Sequence, residues 1–139
     1  MFVSDAMNRK PKTIEHNAPV EKAIRLMKKN RISSLIVTKN KKLAGILTTF
    51  DIFSSRKISS RKLFVRDAMK TEIIKVSSND SLNYAASLMM RHKIQKLPVI
   101  DEEKLVGILT VSDLMSYQNQ LESKVKNISE LKKYMGVGF

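Results

Sequence analysis

The 139-residue sequence contains no cysteine and no tryptophan, and it has only four glycines. Without cysteine, the chain cannot form a disulfide, a thiolate zinc site or a cysteine nucleophile. None of the four glycines falls in a GxxxxGK[ST] pattern, which excludes a Walker phosphate loop. No apolar run approaches the ~20 residues of a transmembrane helix, and the amino-terminal residues lack the apolar core of a signal peptide. We therefore expect a cytoplasmic protein that does not span a membrane.

Apolar residues make up 42% of the sequence, enough for one ordinary domain or for two small ones that share a core. The net charge is +13, and residues 1–62 carry 15 basic and 4 acidic side chains. Residues 63–121 carry seven of each. The basic first half indicates either an anionic partner (a nucleotide, nucleic acid or an acidic protein) or a lysine-rich surface that only keeps the chain in solution.

The sequence repeats itself. The motif GILTTFD, which starts at Gly45, returns 62 residues later as GILTVSD, which starts at Gly107. Aligning residues 1–53 with residues 63–115 at this offset, without gaps, gives 19 identities, far more than chance would produce. An internal duplication is therefore the first inference on which the fold prediction rests.

The duplication predicts repeat one at residues 1–60, repeat two at residues 61–121 and a basic tail at residues 122–139. A polar, basic stretch at residues 54–62 links the repeats. Each repeat is too small to bury a sheet alone, because small chains bury little of their surface. The two repeats are therefore expected to share a core.

Each repeat has the pattern β-α-β-β-α. A short β-like run, at residues 11–14 and 73–76, precedes a helix, and two apolar strands joined by a polar turn follow it. Apolar residues at positions i, i+3, i+4 and i+7 predict one buried face for this first helix. They are Val20, Ala23, Ile24 and Met27 in repeat one and Leu82, Ala85, Ala86 and Met89 in repeat two.

The GILT motif ends a strand with a threonine, and an aspartate follows three residues later. Thr48 with Asp51, and Thr110 with Asp113, fit helix capping boxes, which need no ligand. The same groups also suit a ligand, because a helix amino terminus attracts phosphate and a neighbouring carboxylate can accept both hydroxyls of a ribose. The pattern alone leaves both interpretations open.

The ordered set of motifs resembles a tandem pair of CBS domains, which are named for cystathionine β-synthase. The set comprises a DAM opening, a helix that contains LM, LPVID in repeat two and a GILTxxD ending in each repeat. CBS pairs also occur in the regulatory subunit of AMP-activated kinase, in inosine monophosphate dehydrogenase and in chloride channels. The resemblance covers about residues 1–121 and is more specific than any single motif.

The resemblance implies an α/β (α+β) fold in which two β-α-β-β-α repeats pack sheet to sheet as one pseudo-two-fold module. CBS pairs bind adenosine compounds in clefts between the repeats, which implies a regulatory ligand sensor and not an enzyme. AMP, ADP, ATP and S-adenosylmethionine are the implied ligands, none of them an obligatory cofactor. CBS pairs also associate through their helices into four-domain discs, which implies a homodimer. The regulated protein stays unknown.

The family's binding roles can be transferred by position. The motif aspartate holds the ribose, and the motif hydroxyls meet phosphate or ribose. Residues before the second strand and on the first strand line the ribose and base. The implied ligand-binding residues are Thr48, Asp51, Ser33, Ser34 and Lys12 in repeat one, and Thr110, Ser112, Asp113, Gln95, Lys96 and Ile74 in repeat two. The sequence itself predicts no metal site, because its two histidines are isolated and it has no cysteine. Repeat one has Phe50 where repeat two has Ser112, so the clefts need not bind alike.

A second hypothesis is that the basic repeat one binds nucleic acid or serves as a protein scaffold without sensing nucleotides. Such binding would weaken steeply with salt and would not depend on the motif aspartates. The chain has three tyrosines, five phenylalanines and no basic motif interleaved with aromatic residues. The sequence therefore favours adenosine sensing over this alternative.

Overall fold

The computed structural model describes residues 1–54 and 63–121. The helices are α1 (Val3–Ala6), α2 (Val20–Asn30), α3 (Thr49–Ser54), α4 (Val65–Ala68), α5 (Leu82–His92) and α6 (Val111–Leu121). The strands are β1 (Thr13–Glu15), β2 (Ser34–Lys39), β3 (Lys42–Thr48), β4 (Lys96–Asp101) and β5 (Lys104–Thr110). This mixture of helices and small sheets confirms the predicted α+β class. The predicted tail and nearly all of the predicted link lie outside the described residues.

Each repeat builds its own small sheet. In repeat one the strand order is β1-β2-β3, with β1 parallel to β2 and β2 antiparallel to β3. In repeat two the sheet contains β4 and β5, which pair antiparallel. Both antiparallel pairs shift register at the same place, between Val37 and Thr38 and between Val99 and Ile100. The duplication therefore extends to an irregularity of the backbone.

No described helix has the length and apolarity needed to cross a membrane.

The first β-run of repeat two differs from the prediction. Residues 73–76 form no strand, and Val76 makes only an isolated parallel bridge to Val99. The Val76 amide donates to the Pro98 carbonyl (3.1 Å), and the Ile100 amide donates to the Val76 carbonyl (2.8 Å). Proline has no amide hydrogen, so Pro98 cannot donate the next bond of a ladder. Repeat one has Ile36 at this position, and there β1 forms as a strand.

The helices α2 and α5 bury the apolar faces that the sequence predicts for them, with one exception. All four predicted positions of α5 are buried, as are three of the four in α2. The prediction is wrong for Ile24, which is 43% exposed. Ile24 lies at the edge of the apolar stripe, where its long side chain reaches solvent, whereas the smaller Ala86 at the matching position is covered. Ser81 caps α5, since its Oγ accepts from the Tyr84 amide (3.0 Å).

The compact units of the chain are not divided in the same way as the repeats. The first unit contains residues 11–73, and the second unit contains residues 1–10 together with the described residues from 74 onward. In the first unit, Val65 of α4 is fully buried in the core around β2, β3 and α2. In the second unit, Val3 of α1 occupies the same place against β4, β5 and α5. The leading segment of each repeat (residues 1–10 in repeat one and 63–73 in repeat two) therefore completes the core around the sheet of the other repeat.

Candidate functional site

Both strand-to-helix junctions close with a reciprocal pair of hydrogen bonds. Between β3 and α3, the Thr48 amide donates to Asp51 Oδ2 (3.1 Å), and the Asp51 amide donates to Thr48 Oγ1 (3.1 Å). Between β5 and α6, the Thr110 amide donates to Asp113 Oδ2 (2.9 Å), and the Asp113 amide donates to Thr110 Oγ1 (3.1 Å). These bonds confirm the capping-box interpretation. They engage one carboxylate oxygen, Oδ2, at each junction, so Oδ1 does not take part in the cap.

The two motif aspartates have different surroundings. Asp51 is buried, with 6% of its side chain exposed, and its Oδ1 lies 3.5 Å from the ammonium nitrogen of Lys70. Asp113 is half-buried. Among the described residues, no ion pair joins Asp113 to a lysine or an arginine. The repeats thus share the cap and differ in the charge next to the carboxylate.

The motif glycines allow a leading segment to approach the strand. In the first unit, Ile46 and Lys70 exchange two backbone hydrogen bonds of 2.9 Å each, and a Cβ on Gly45 would lie 2.6 Å from the Lys70 carbonyl oxygen. In the second unit, Asn8 bridges to Ile108 in the same way, and a Cβ on Gly107 would lie 2.8 Å from the Asn8 carbonyl oxygen. Only glycine permits this approach without a shift of the backbone. Lys70 and Asn8 are not among the site residues predicted from the sequence.

The residues predicted before the second strand do lie beside the motif. The Ser33 carbonyl accepts from the amide of Thr49 (3.0 Å), and the Gln95 carbonyl accepts from the amide of Val111 (3.0 Å). In the antiparallel register, Ser34 is the partner of Thr48, and Lys96 is the partner of Thr110. Each of these pairs therefore lies at the start of the helix that carries the motif aspartate.

Lys96 brings a partly desolvated cation to the junction of the second unit. Burial lowers the pKa of its ammonium group below the ordinary lysine value. A cation that has lost part of its hydration gains more from a neighbouring anion than a solvated one does. Ser34 occupies the matching position in the first unit.

Three predicted residues remain, namely Lys12, Ile74 and Ser112. Lys12 is exposed just before β1, and Ile74 packs partly buried against the core of the second unit. Ser112 is exposed in the first turn of α6. Within residues 1–54 and 63–121, no hydrogen bond or ion pair joins any of the three to a motif aspartate.

A small cavity lies beside the motif of the second unit. It has a volume of about 220 Å³ and is lined by Asp113, Ser116 and Tyr117 of α6 and by Asp5 and Ala6 of α1. Asp113 therefore borders this cavity and is half-buried, whereas Asp51 is nearly covered. Asp5 also accepts from the Phe2 amide through Oδ2 (2.7 Å), so it is held at the start of α1.

The arrangement of two such repeats defines a class, and comparison with known proteins identifies it. The family model described as CBS domain matches residues 3–57 and again residues 65–119. The chain belongs to the CBS domain family. It is 33% identical over 123 residues to the CBS domain-containing protein YhcV of Bacillus subtilis, with 87% of this chain and 88% of that protein covered.

Two solved structures are similar in fold. A candidate acetoin utilization protein, AcuB of Vibrio cholerae, has 31% identity and a TM-score of 0.79, with 87% of this chain and 92% of that chain covered. The CBS domain pair of protein MJ0100, in complex with 5′-methylthioadenosine and S-adenosyl-L-methionine, has 25% identity and a TM-score of 0.71, with 84% and 98% covered. Both cover nearly the whole of the described chain.

Several other curated relatives are longer enzymes. The chain spans 25% of a homoserine O-acetyltransferase from Methanocorpusculum labreanum and 21% of an inosine-5′-monophosphate dehydrogenase from Korarchaeum cryptofilum. The similarity concerns only that part of each enzyme. It therefore does not transfer their activities to this chain.

Proposed function

We propose that this chain is a regulatory module that senses adenosine-containing compounds and has no catalytic activity of its own. The observation that carries the proposal is the pair of capped aspartates, Asp51 and Asp113, each with one carboxylate oxygen outside the cap. A carboxylate oxygen has two acceptor sites, which suits the neighbouring hydroxyls of a ribose. The adenosine compounds bound to the CBS pair of MJ0100 support the same ligand class.

The proposed ligand-binding residues are those that the resemblance to CBS pairs implies for each site. The set in the first unit is Lys12, Ser33, Ser34, Thr48 and Asp51. The set in the second unit is Ile74, Gln95, Lys96, Thr110, Ser112 and Asp113. AMP, ADP, ATP and S-adenosylmethionine are the candidate ligands, because each presents a ribose diol to the carboxylate.

Regulation requires that the ligand bind one state of the module more tightly than another. The ligand then shifts the population of states, and a protein that recognises one of them gains or loses affinity. The size of this effect is limited by the difference between the two ligand affinities. The regulated protein is not identified.

A thermal-shift panel of AMP, ADP, ATP and S-adenosylmethionine tests the proposal. A ligand present at 100 times its dissociation constant adds about 2.7 kcal/mol to the free energy of unfolding. We expect at least one compound to raise the melting temperature, and we expect Asp51→Asn with Asp113→Asn to abolish the shift. Nucleic-acid binding that weakens with salt and ignores both substitutions would instead favour the alternative function.

We also propose that the module forms a homodimer through the α2–α3 face of the first unit. Ile24, Phe50 and Phe53 are 43%, 72% and 76% exposed. A groove of about 320 Å³ on this face is lined mainly by apolar side chains, with Lys28 and Arg31 among them. Exposed apolar side chains clustered in this way are typical of an interaction surface. In the second unit, Leu88 and Met89 are buried and belong to the core.

A further inference from the structure

Lys70 is held next to the motif aspartate by the backbone. Its amide and carbonyl both bond to Ile46, two residues before the capping Thr48, at 2.9 Å each. Gly45 makes room for the Lys70 carbonyl. Lys70 belongs to the leading segment of repeat two, yet its side chain forms an ion pair with the carboxylate of Asp51 in repeat one. The position of this lysine is therefore set by main-chain geometry.

Lys70 contacts the carboxylate oxygen that a ligand would use. Asp51 Oδ2 accepts from the Thr48 amide, and Oδ1 lies 3.5 Å from Lys70 Nζ. The Lys70 side chain is 68% exposed, so the ion pair is screened by water and easily exchanged. Its four-carbon stem is flexible enough for the ammonium group to turn to another anion nearby. Ribose hydroxyls on Oδ1 would bring the ligand within reach of this cation.

The second unit has a neutral residue at the matching place. Asn8 makes the same two backbone bonds, to Ile108, at 2.9 Å each. Its side-chain Oδ1 accepts from the amide of Lys10 (2.9 Å). The duplicated framework thus presents a cation to Asp51 and an amide at the equivalent position near Asp113.

We propose that Lys70 makes the Asp51 site selective for adenosine ligands that carry a 5′-phosphate. This inference rests on the proposed adenosine binding. An uncharged nucleoside must share Oδ1 with Lys70 and offers the ammonium group only neutral acceptors, which bind a cation less strongly than a phosphate does. A phosphorylated nucleoside gives Lys70 a charge-assisted hydrogen bond while its ribose occupies Asp51. The selectivity arises because one ligand satisfies the cation and the other does not.

Calorimetric titration with AMP and with adenosine tests the inference. Asp113→Asn isolates the Asp51 site, because asparagine can still accept the capping bond. In that background we expect the preference for AMP over adenosine to fall about threefold to tenfold in Lys70→Asn, which copies the residue of the other repeat. Lys70→Arg keeps the charge and should keep the preference.

The reverse substitution provides a gain of function. Asp51→Asn isolates the Asp113 site, and Asn8→Lys in that background should raise its preference for AMP over adenosine. If both compounds bind and the Lys70→Asn substitution leaves the preference unchanged, the inference is wrong while adenosine sensing stands. If neither compound, nor ATP nor S-adenosylmethionine, binds the unsubstituted chain, adenosine sensing and the inference both fail. Far-ultraviolet circular dichroism with a melting curve confirms that each variant is folded.

Discussion

The two motif sites of this chain have the same main-chain geometry and different side-chain chemistry. Both have a capping threonine, an aspartate with one oxygen in the cap and a glycine against a leading segment. Asp51 is buried beside Lys70, whereas Asp113 is half-buried beside a cavity. The duplicated backbone therefore places a carboxylate at each site, and the proposed difference in ligand preference rests on the residues around it.

The largest effect is expected from filling the space at a motif glycine. In Gly45→Ala, the new methyl group would lie 2.6 Å from a backbone oxygen, which cannot move without breaking the bridge to Ile46. We expect a loss of about 2–3 kcal/mol in the free energy of unfolding, measured by urea denaturation. Ala44→Val is the matched control, because repeat two has Val106 at that position. Equal stability of both variants would contradict the close approach.

The next largest effect is expected from a charge placed in the apolar α2–α3 groove of the first unit. Phe53→Glu places a charge in the α2–α3 groove and should weaken the dimer at least tenfold, measured by sedimentation equilibrium. Lys22→Glu introduces the same acid on α2 among residues that do not line the groove, and it should leave self-association nearly unchanged. A Phe53→Glu variant that sediments like the unsubstituted chain would rule out this interface.

The two aspartates should contribute unequally to stability. Asp51→Ala removes a cap and an ion pair from a buried position, while Asp113→Ala removes a cap from a half-buried one. We expect losses of about 2 and about 1 kcal/mol in the free energy of unfolding. Thr48→Ser and Thr110→Ser keep the hydroxyl and serve as controls in the same denaturation series. Equal losses would mean that the burial of Asp51 and its ion pair add nothing to the free energy of unfolding.

The smallest effect is expected from an acid-sensitive carboxylate, Asp101, in the second unit. The Ser78 hydroxyl, the Ser78 amide and the Ser77 hydroxyl donate to Asp101 and lower the pKa of its carboxyl group. Stability from these bonds is present above the unfolded pKa of about 4 and is lost as the pH falls through the lower folded pKa. Repeat one has Lys39 at the matching position, so it has no carboxylate there.

A comparison of unfolding free energies between pH 7 and pH 3 measures the stability that the bonds to Asp101 contribute. Ser78→Ala should lower stability at neutral pH and should flatten the decline toward low pH. Ser87→Ala, which removes a hydroxyl that bonds only within α5 in the described structure, is the control. A decline that is as steep in Ser78→Ala as in the unsubstituted chain would assign the acid sensitivity to other groups.

Much of the fold could be predicted from the sequence because the signals are local. The spacing of apolar residues defines α2 and α5, and the T-x-x-D pattern defines both caps. The loss of a strand before Val76 depends on a long-range bond that Pro98 cannot donate. Ile24 lies at the edge of its apolar stripe, where periodicity alone does not decide burial.

The site was predictable only in part, for a similar reason. Thr48 and Asp51 are three residues apart, so their pairing follows from the sequence. Lys70 is 19 residues further along the chain than Asp51 and reaches it through a backbone bridge to Ile46. The glycine of the motif was the available signal, since a glycine repeated at the same place in both strands indicates a neighbouring backbone. Which segment supplies that backbone is decided by tertiary packing.

Isothermal titration of AMP into the unsubstituted chain and into the Asp51→Asn, Asp113→Asn double variant tests the central claim most directly. Glu102→Gln, which removes an exposed acid from the turn between β4 and β5, is the control for the change in charge. We expect AMP to bind the unsubstituted chain and the control with equal affinity, and we expect the double variant to lose this binding. AMP binding that survives in a folded double variant would show that the two capped carboxylates do not hold the ligand.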